Sequence, residues 1–215
     1  IFFPPPEPAA DPAPTAQTGT ETVAPAPAET VAATGTVQTE TASAVADAPR
    51  LDIDTPKLSG SISLAGARID DLSLKTYRET LDPTSPEVRL LSPVGEEHPY
   101  YALMGWTPAA GTTAADLPDA HTLWTVASGG PLAPGKPVVL RWDNGKGLSF
   151  TREIAVDENF LFTVTDSVKN AGTAPVAMSP YGVIARHGLP KMQSIFVVHE
   201  GMVRSADGKL EETRY

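Results

Sequence analysis

The chain has 215 residues, contains no cysteine and carries a formal net charge of −10 at pH 7. Without cysteine it cannot form disulfides, cysteine–zinc sites or thiol nucleophiles. An acidic chain without a stripe of clustered lysine and arginine is also poorly suited to nucleic acid and to flat docking on anionic lipid. We therefore expect no nucleic-acid partner. No stretch approaches the ~20 apolar residues that span a bilayer.

The first 50 residues differ in composition from the remainder. Pro, Ala and Thr supply most of them, and Phe2 and Phe3 are their only aromatic residues. Such a segment cannot bury enough apolar surface to offset an ordering cost of roughly 1–2 kcal/mol per residue. We expect residues 1–50 to be a disordered linker and residues 51–215 to form one folded domain.

Short antiparallel strands are predicted for the folded part, because apolar and polar residues alternate in runs bounded by turn residues. The clearest stretch surrounds Asn144-Gly145, which readily supplies the positive φ angles of a tight hairpin turn. The predicted strands cover residues 58–64, 68–77, 87–91, 100–106, 122–126, 138–142, 148–156, 160–168, 176–184, 194–199 and 202–204. The run at 100–106 is so rich in large apolar residues that we expect burial on both of its faces.

Two packed antiparallel sheets are the fold that this pattern favours. Helical periodicity appears only weakly, near residues 207–213, where a short C-terminal helix is the single helical candidate. One row of apolar residues is expected to face the interior of the long meander. That row contains Phe150, Ile154, Phe160, Phe162 and Val164.

The histidines do not follow a metal-binding spacing. No H-x-H or H-E-x-x-H pattern occurs, so surface positions are favoured over a metal site and no cofactor is expected. Carboxylates that are adjacent on a strand point to opposite faces and cannot act together on one bond. The three tryptophans with Tyr100 and Tyr101 could form a platform for a sugar or a peptide, but core filling is the favoured interpretation. The four histidines are His98, His121, His187 and His199. The aromatic residues of the possible platform are Tyr100, Tyr101, Trp106, Trp124 and Trp142.

Short motifs follow one another in a recognisable order along the second half of the chain. Residues 148–156 fit an F-x-K/R-x-aliphatic pattern around Phe150 and Arg152. Residues 160–164 are similar to Y/F-x-aliphatic-x-V, with Phe162 at the aliphatic position, and residues 168–172 fit V-x-N-x-G/S. Residues 180–184 fit P-Y-G-x-aliphatic, residues 201–203 fit G-aliphatic, and residues 210–215 fit E-x-x-Y. In this order and spacing they resemble the large periplasmic domain of the YidC membrane protein insertases of Gram-negative bacteria. The opening residues 1–4 resemble the exit of that family's first transmembrane helix.

The resemblance implies a large all-β antiparallel β-supersandwich, akin to that of galactose mutarotases, on the periplasmic side of the inner membrane. It also implies that the linker follows a transmembrane helix and that the insertase chemistry resides in transmembrane helices absent from these residues. The domain would then be a monomeric accessory module rather than an enzyme. Its implied partners are Sec translocon subunits, above all SecF, together with nascent membrane proteins and chaperones.

The C-terminal stretch is the segment we expect to couple this domain to the membrane core. Its candidate residues are Met202, Val203, Arg204, Leu210 and Tyr215, and the competing interpretation is a plain exposed connector.

A sugar-binding or mutarotase-like module is the alternative function, and it requires a general acid and base that converge on one centre. The candidates for that pair are Glu153 or Glu200 beside His187 or His199.

Overall fold

The computed structural model describes residues 47–189, residue 199 and residues 201–214. Most of the expected linker, most of the strand expected at 194–199, and Tyr215 therefore lie outside the described residues. The strands are β1 (Arg50–Asp54), β2 (Leu58–Ser63), β3 (Arg68–Arg78), β4 (Glu87–Leu91), β5 (Tyr100–Pro108), β6 (Thr125–Ser128), β7 (Val138–Asp143), β8 (Leu148–Val156), β9 (Phe162–Asn170), β10 (Met178–Arg186), β11 (Gly201–Ala206) and β12 (Lys209–Arg214). Between β5 and β6 lies the one 3-10 turn found in the described residues, Ala114–Asp116.

The described residues form two antiparallel sheets and one separate hairpin, which confirms the predicted all-β class. In the first sheet the strand order is β1-β2-β3-β5-β10, with β4 also paired to β3. In the second sheet the order is β6-β7-β8-β9, and β11 pairs only with β12 among the described strands. Within the part of the chain that the structure describes, no helix has the length and apolarity to cross a bilayer.

The core lies between the two sheets, where apolar side chains of both inner faces meet. Trp106 of the first sheet and Phe150 of the second have ring centroids 5.1 Å apart, in an edge-to-face arrangement. On β8 the alternation is strict, since every second residue from Leu148 to Val156 is buried and the residues between them are more exposed. This alternation places β8 across the middle of the sandwich.

Strand β9 continues the inward row on the neighbouring strand. Ile154 pairs with Val164 and Val156 pairs with Phe162, so these side chains share one face as predicted. Phe150 and Ile154 are completely buried, but Phe160, Phe162 and Val164 are only partly buried. The predicted direction is therefore confirmed, whereas burial decreases toward the edge of the sheet.

Several expectations from the sequence differ from the structure. Only residues 125 and 126 of the predicted 122–126 strand belong to β6, and Phe160, predicted to begin a strand, has φ 71° in the turn before β9. In β5 only Gly105 and Trp106 are buried, so the strand is not enclosed on both faces. Residues 207–213 do not form a helix, because β12 begins at Lys209 and runs back along β11. Asp207 and Gly208 both adopt positive φ, 51° and 73°, which is the geometry of a two-residue hairpin turn with an Asp-Gly sequence.

Candidate functional site

An apolar groove separates the inner face of the first sheet from β9. Its volume is about 530 Å³. Strands β2, β3, β4, β5 and β10 contribute one wall, and β9 with the turn before it contributes the other. The lining residues are Leu58, Ile69, Leu72, Leu74, Tyr77, Leu90, Leu91, Tyr100, Ala102, Met104, Phe160, Phe162, Val164 and Ile184.

The lining follows directly from strand alternation. Tyr100, Ala102 and Met104 are every second residue of β5, and Phe162 and Val164 are every second residue of β9, so each set projects toward the gap. No charged side chain contributes to the lining among the described residues. The groove can therefore hold apolar side chains or aliphatic chains, and Tyr77 and Tyr100 are the described lining residues that carry a polar side-chain group.

Two cations lie beside aromatic rings of the groove. The Lys57 ammonium is 5.2 Å from the Phe160 ring centroid, and the Arg186 guanidinium is 5.2 Å from the Tyr100 centroid. Such contacts keep the charged heads close to aromatic faces while their stems cover apolar surface.

A buried arginine occupies the interior beside the groove. Arg152 is fully buried on β8 and forms a two-pronged ion pair with Asp166 on β9, at 2.7 Å and 2.9 Å. Its Nη1 donates to the carbonyl oxygen of Met104 on β5 at 3.2 Å, which links the two sheets. Its guanidinium also lies 5.2 Å from the ring centroids of both Trp106 and Trp124.

The aromatic residues proposed as an alternative sugar platform mostly fill the core. Trp106 and Trp124 are buried and stacked with centroids 6.3 Å apart, and Trp142 packs on Phe150 at 5.5 Å. Tyr100 lines the groove instead. Core filling was the favoured interpretation, and the structure confirms it for the tryptophans.

A second group of charged side chains, largely buried, lies on the other face of the first sheet. Arg50 on β1 donates to the Asp70 carboxylate on β3, and burial raises the pKa of Asp70 against the lowering effect of that bond. Burial likewise lowers the pKa of Arg68, whose Nη2 donates to the Ala120 carbonyl at 3.0 Å. Arg68 also lies 4.9 Å from the ring centroid of Tyr101. These contacts tie β1, β3 and the loop at Ala120 together.

Asp116 joins the 3-10 turn to the tip of the β7–β8 hairpin. Its carboxylate accepts from Lys146 Nζ at 2.8 Å and from the Thr113 hydroxyl at 2.6 Å, and these bonds lower the pKa of Asp116 to about 2. Because the folded pKa is below the ordinary value of 3.8, this carboxylate stabilises the fold above about pH 4 and loses that effect as the pH falls toward 2.

We expect the Asp116 carboxyl to titrate near pH 2 when it is followed by NMR. In the Lys146→Ala variant its pKa should rise toward 3.8, because the hydrogen bond and the charge attraction from Lys146 are gone. Lys136→Ala serves as the control, and it should leave the Asp116 titration unchanged. An unaltered midpoint in Lys146→Ala would contradict the assignment.

The predicted coupling residues lie on the C-terminal hairpin, formed by β11 and β12. Met202 and Arg204 project from one face, whereas Val203 and Leu210 project from the other. Met202, Val203 and Leu210 are 45%, 55% and 66% exposed, and Arg204 forms an ion pair with Glu211 at 3.1 Å. Four of the five predicted residues are thus brought together, and Tyr215 lies outside the described residues.

The candidate acid–base pairs of the mutarotase-like alternative do not converge in the described part of the chain. His199 Nδ1 is 3.7 Å from Glu212, His187 Nε2 is 3.4 Å from the Tyr101 hydroxyl, and none of these residues lines the groove. Glu153 is exposed on β8, and Glu200 lies outside the described residues. Among the described residues, no group of three or more histidine or carboxylate side chains could hold a metal ion.

Sequence reasoning missed the groove and the role of Arg152. The groove could have been inferred from the alternation in β5 and β9, because that alternation marks one apolar face on each strand. Arg152 stands in phase with Phe150 and Ile154, which already places it on the buried face.

A sandwich of antiparallel sheets whose concave surface is apolar defines an all-β domain suited to contacts with apolar partners. A family model described as the YidC periplasmic domain matches residues 50–215. The chain belongs to the YidC family, as the resemblance of its motifs predicted.

Curated relatives agree with this assignment. The membrane protein insertase YidC of Dinoroseobacter shibae is 53% identical over 221 residues, covering 100% of this chain and 36% of the relative. The protein of the same name from Cereibacter sphaeroides (strain KD131) is 51% identical over 219 residues, covering 100% of this chain and 34% of the relative. That from Ruegeria pomeroyi is 47% identical over 225 residues, covering 100% and 37%. The chain thus spans about a third of the length of these relatives.

Proposed function

We propose that this chain is a non-enzymatic accessory domain of a membrane protein insertase. It faces the periplasm and is tethered to the inner membrane through the Pro/Ala/Thr-rich linker of residues 1–50. The observation that carries the proposal is the match to the YidC periplasmic domain over residues 50–215. The mostly apolar lining of the groove supports it, because such a surface is suited to binding apolar segments of another protein.

The partners we propose are nascent membrane proteins and the Sec translocon, with SecF as its contacting subunit. The C-terminal hairpin is the proposed coupling surface, because it exposes apolar side chains on both of its faces. We also propose that the domain is monomeric. The contact at the hairpin then joins two different proteins rather than two copies of this domain.

Deleting residues 53–198 from the full-length insertase, while sparing Met202–Tyr215, tests the accessory role. We expect growth and membrane protein insertion to persist, because the insertion chemistry is proposed to lie in the membrane-embedded part. Protease resistance and membrane integration of the remaining protein serve as the control. Loss of insertion by a correctly integrated protein would show that the β domain is essential.

Charge placed on the hairpin tests the proposed contact with SecF. Val203→Asp with Leu210→Asp adds two charges to one exposed apolar face and should reduce co-purification of SecF at least fivefold. Lys209→Ala, at the exposed start of β12, is the matched control and should leave co-purification unchanged. Equal recovery of SecF with both variants would show that the hairpin does not contact SecF.

A further inference from the structure

Three connections meet at one end of the sandwich: the β1–β2 turn, the β3–β4 loop (79–86) and the β8–β9 turn (157–161). At the end of β3, the ring of Tyr77 lies 6.4 Å from that of Phe160 in the β8–β9 turn, centroid to centroid. Lys57 of the β1–β2 turn completes the contact, because its Nζ is 5.2 Å from the Phe160 ring centroid. We call this end of the sandwich the loop tip.

Two leucines protrude from the loop tip. Leu81 is 104% exposed and Leu161 is 63% exposed, and neither of them lines the apolar groove. Tyr77, at the same end, is 54% exposed. A single exposed leucine is common on protein surfaces and needs no explanation. Two leucines and a tyrosine at one end of a domain have the composition of a surface that enters an apolar medium.

The β3–β4 loop that carries Leu81 pairs its backbone donors internally. The N–H of Thr80 donates to the Ser85 hydroxyl at 3.3 Å, and the N–H of Ser85 donates to the Asp82 carbonyl at 3.0 Å. The N–H of Asp82 donates to the Thr80 hydroxyl at 3.2 Å, and that of Thr84 donates to the Asp82 carboxylate at 2.8 Å. Donors that are paired in this way do not have to give up a bond to water when the loop leaves water.

The β8–β9 turn that carries Leu161 is built in the same manner. The Asp157 carboxylate accepts from the N–H of Asn159 at 2.7 Å and from that of Leu161 at 2.8 Å. The N–H of Asp157 donates to the Leu161 carbonyl at 3.0 Å. Both leucines are therefore presented by turns whose own side chains satisfy the backbone, which suits contact with a medium that offers few hydrogen bonds.

We propose that the loop tip docks on the surface of a bilayer with zwitterionic headgroups, with Leu81 and Leu161 entering the boundary between headgroups and acyl chains. The inference rests on the proposed tethering of this domain to the inner membrane. The linker joins the fold at Arg50, which pairs with Ser63 near the start of β3, so the loop tip lies at the far end of that strand. The 11 residues of β3 span roughly 36 Å, and a coil of about 50 residues reaches a similar distance, so the tether allows the loop tip to meet the bilayer.

The charges around the leucines determine the kind of headgroup. Ion pairs join Lys75 to Asp54 and Arg78 to Glu87 at this end of the sandwich. The exposed acids beside the leucines are Glu79, Asp82, Asp157 and Glu158. This acidic excess opposes contact with anionic lipid, whereas zwitterionic headgroups supply ammonium groups to meet it. Lys57 and Tyr77 each combine an apolar body with a polar end, as is typical of residues at the level of the headgroups.

A fluorophore at a single cysteine tests the docking, because the 215 residues contain no cysteine. The full-length insertase, with any cysteine outside these residues replaced by serine, is labelled with NBD at Leu81→Cys and reconstituted into phosphatidylcholine vesicles. Ala110→Cys is the control, since it is exposed in the loop after β5, beyond the opposite end of β3. We expect phosphatidylcholine with a doxyl group near its headgroup to quench position 81 about threefold or more strongly than position 110.

A substitution at the second leucine separates insertion of the loop tip from mere proximity to the bilayer. Leu161→Asp should reduce quenching at position 81 to the level of position 110. Leu123→Asp, at a leucine that is 53% exposed outside the loop tip, is the matched control and should leave the quenching unchanged. NBD at Leu161→Cys repeats the first measurement from the other turn, should the label at position 81 disturb its loop.

The remaining outcomes would overturn the proposal. Equal quenching at positions 81 and 110 would show that the loop tip does not meet the bilayer. Quenching that appears only after phosphatidylglycerol is added would contradict the zwitterionic assignment. A probe at position 81 that is shielded from iodide but is not quenched by the doxyl lipid would assign the loop tip to a protein partner. Growth and insertion after deletion of residues 53–198 report on the accessory role, so failure of that role is distinguishable from failure of the docking.

Discussion

Replacing Arg152 by alanine is expected to lower the free energy of unfolding by about 3 kcal/mol or more. The substitution removes one partner of a buried ion pair and leaves the Asp166 carboxylate without its two guanidinium bonds, which typically costs about 3–5 kcal/mol. It also empties the space beside the stacked rings of Trp106 and Trp124 and leaves the Met104 carbonyl without its donor. Urea unfolding of the domain followed by circular dichroism measures the effect.

Arg141→Ala is the matched control for that experiment. Arg141 also pairs with an aspartate, Asp143, but both side chains are about half exposed, at 55% and 47%. Exposed ion pairs contribute little because water and salt screen them. The midpoint of unfolding should therefore hardly move in the control, and a similarly small change in Arg152→Ala would contradict the structural role of the buried pair.

Phe150→Ala is expected to destabilise the domain by about 3–5 kcal/mol, the usual range for a fully buried phenylalanine. Phe150 is completely buried between the rings of Trp106 and Trp142, at 5.1 Å and 5.5 Å. Phe162→Ala should cost clearly less, because its side chain lines the open groove and already contacts solvent. Urea midpoints of the two variants give the comparison.

The exposed neighbour Leu161 controls for the general effect of shortening a side chain in this region. Leu161 is 63% exposed, so Leu161→Ala should change the free energy of unfolding by no more than about 0.5 kcal/mol. A larger loss for Leu161→Ala than for Phe162→Ala would mean that β9 is shifted by one residue, since such a slip exchanges the two faces.

The sequence predicted the strands well where one face is buried and the other is solvated. The 148–156 strand has the predicted bounds and strict alternation, and the β7–β8 hairpin forms at Asn144, whose side chain accepts from the N–H of Lys146 and of Leu148. Local turn chemistry and period-2 alternation suffice for such elements. The order of short motifs likewise predicted the family, whose model matches residues 50–215.

Features that depend on the third dimension were not accessible in the same way. The depth of burial along β9 and β10 depends on which strands lie beside them. Sequence alternation indicates only the face of the sheet on which each side chain lies. The groove arises because Phe162 and Val164 of one sheet stand opposite Ala102 and Met104 of the other, a relation between residues far apart in sequence. The coupling role of the C-terminal hairpin remains a prediction.

The helical candidate at 207–213 failed for a local reason. A Lys-Leu-Glu-Glu-Thr-Arg run has good helix formers, but it follows Asp207-Gly208, whose positive φ angles reverse the chain. Reversal places Leu210 opposite Ser205 and Glu211 opposite Arg204, where cross-strand pairing outweighs a weak helical preference.

The location of the tryptophans gives the domain a built-in optical reporter. The chain has three tryptophans, and Trp106, Trp124 and Trp142 all lie around Phe150 and Arg152, where the two sheets meet. The sequence of residues 1–50 contains none. Indole emission therefore originates from a single region, and its shift to longer wavelength marks the entry of water between the sheets. Separation of the sandwich can thus be timed without any attached dye and without a tryptophan signal from residues 1–50.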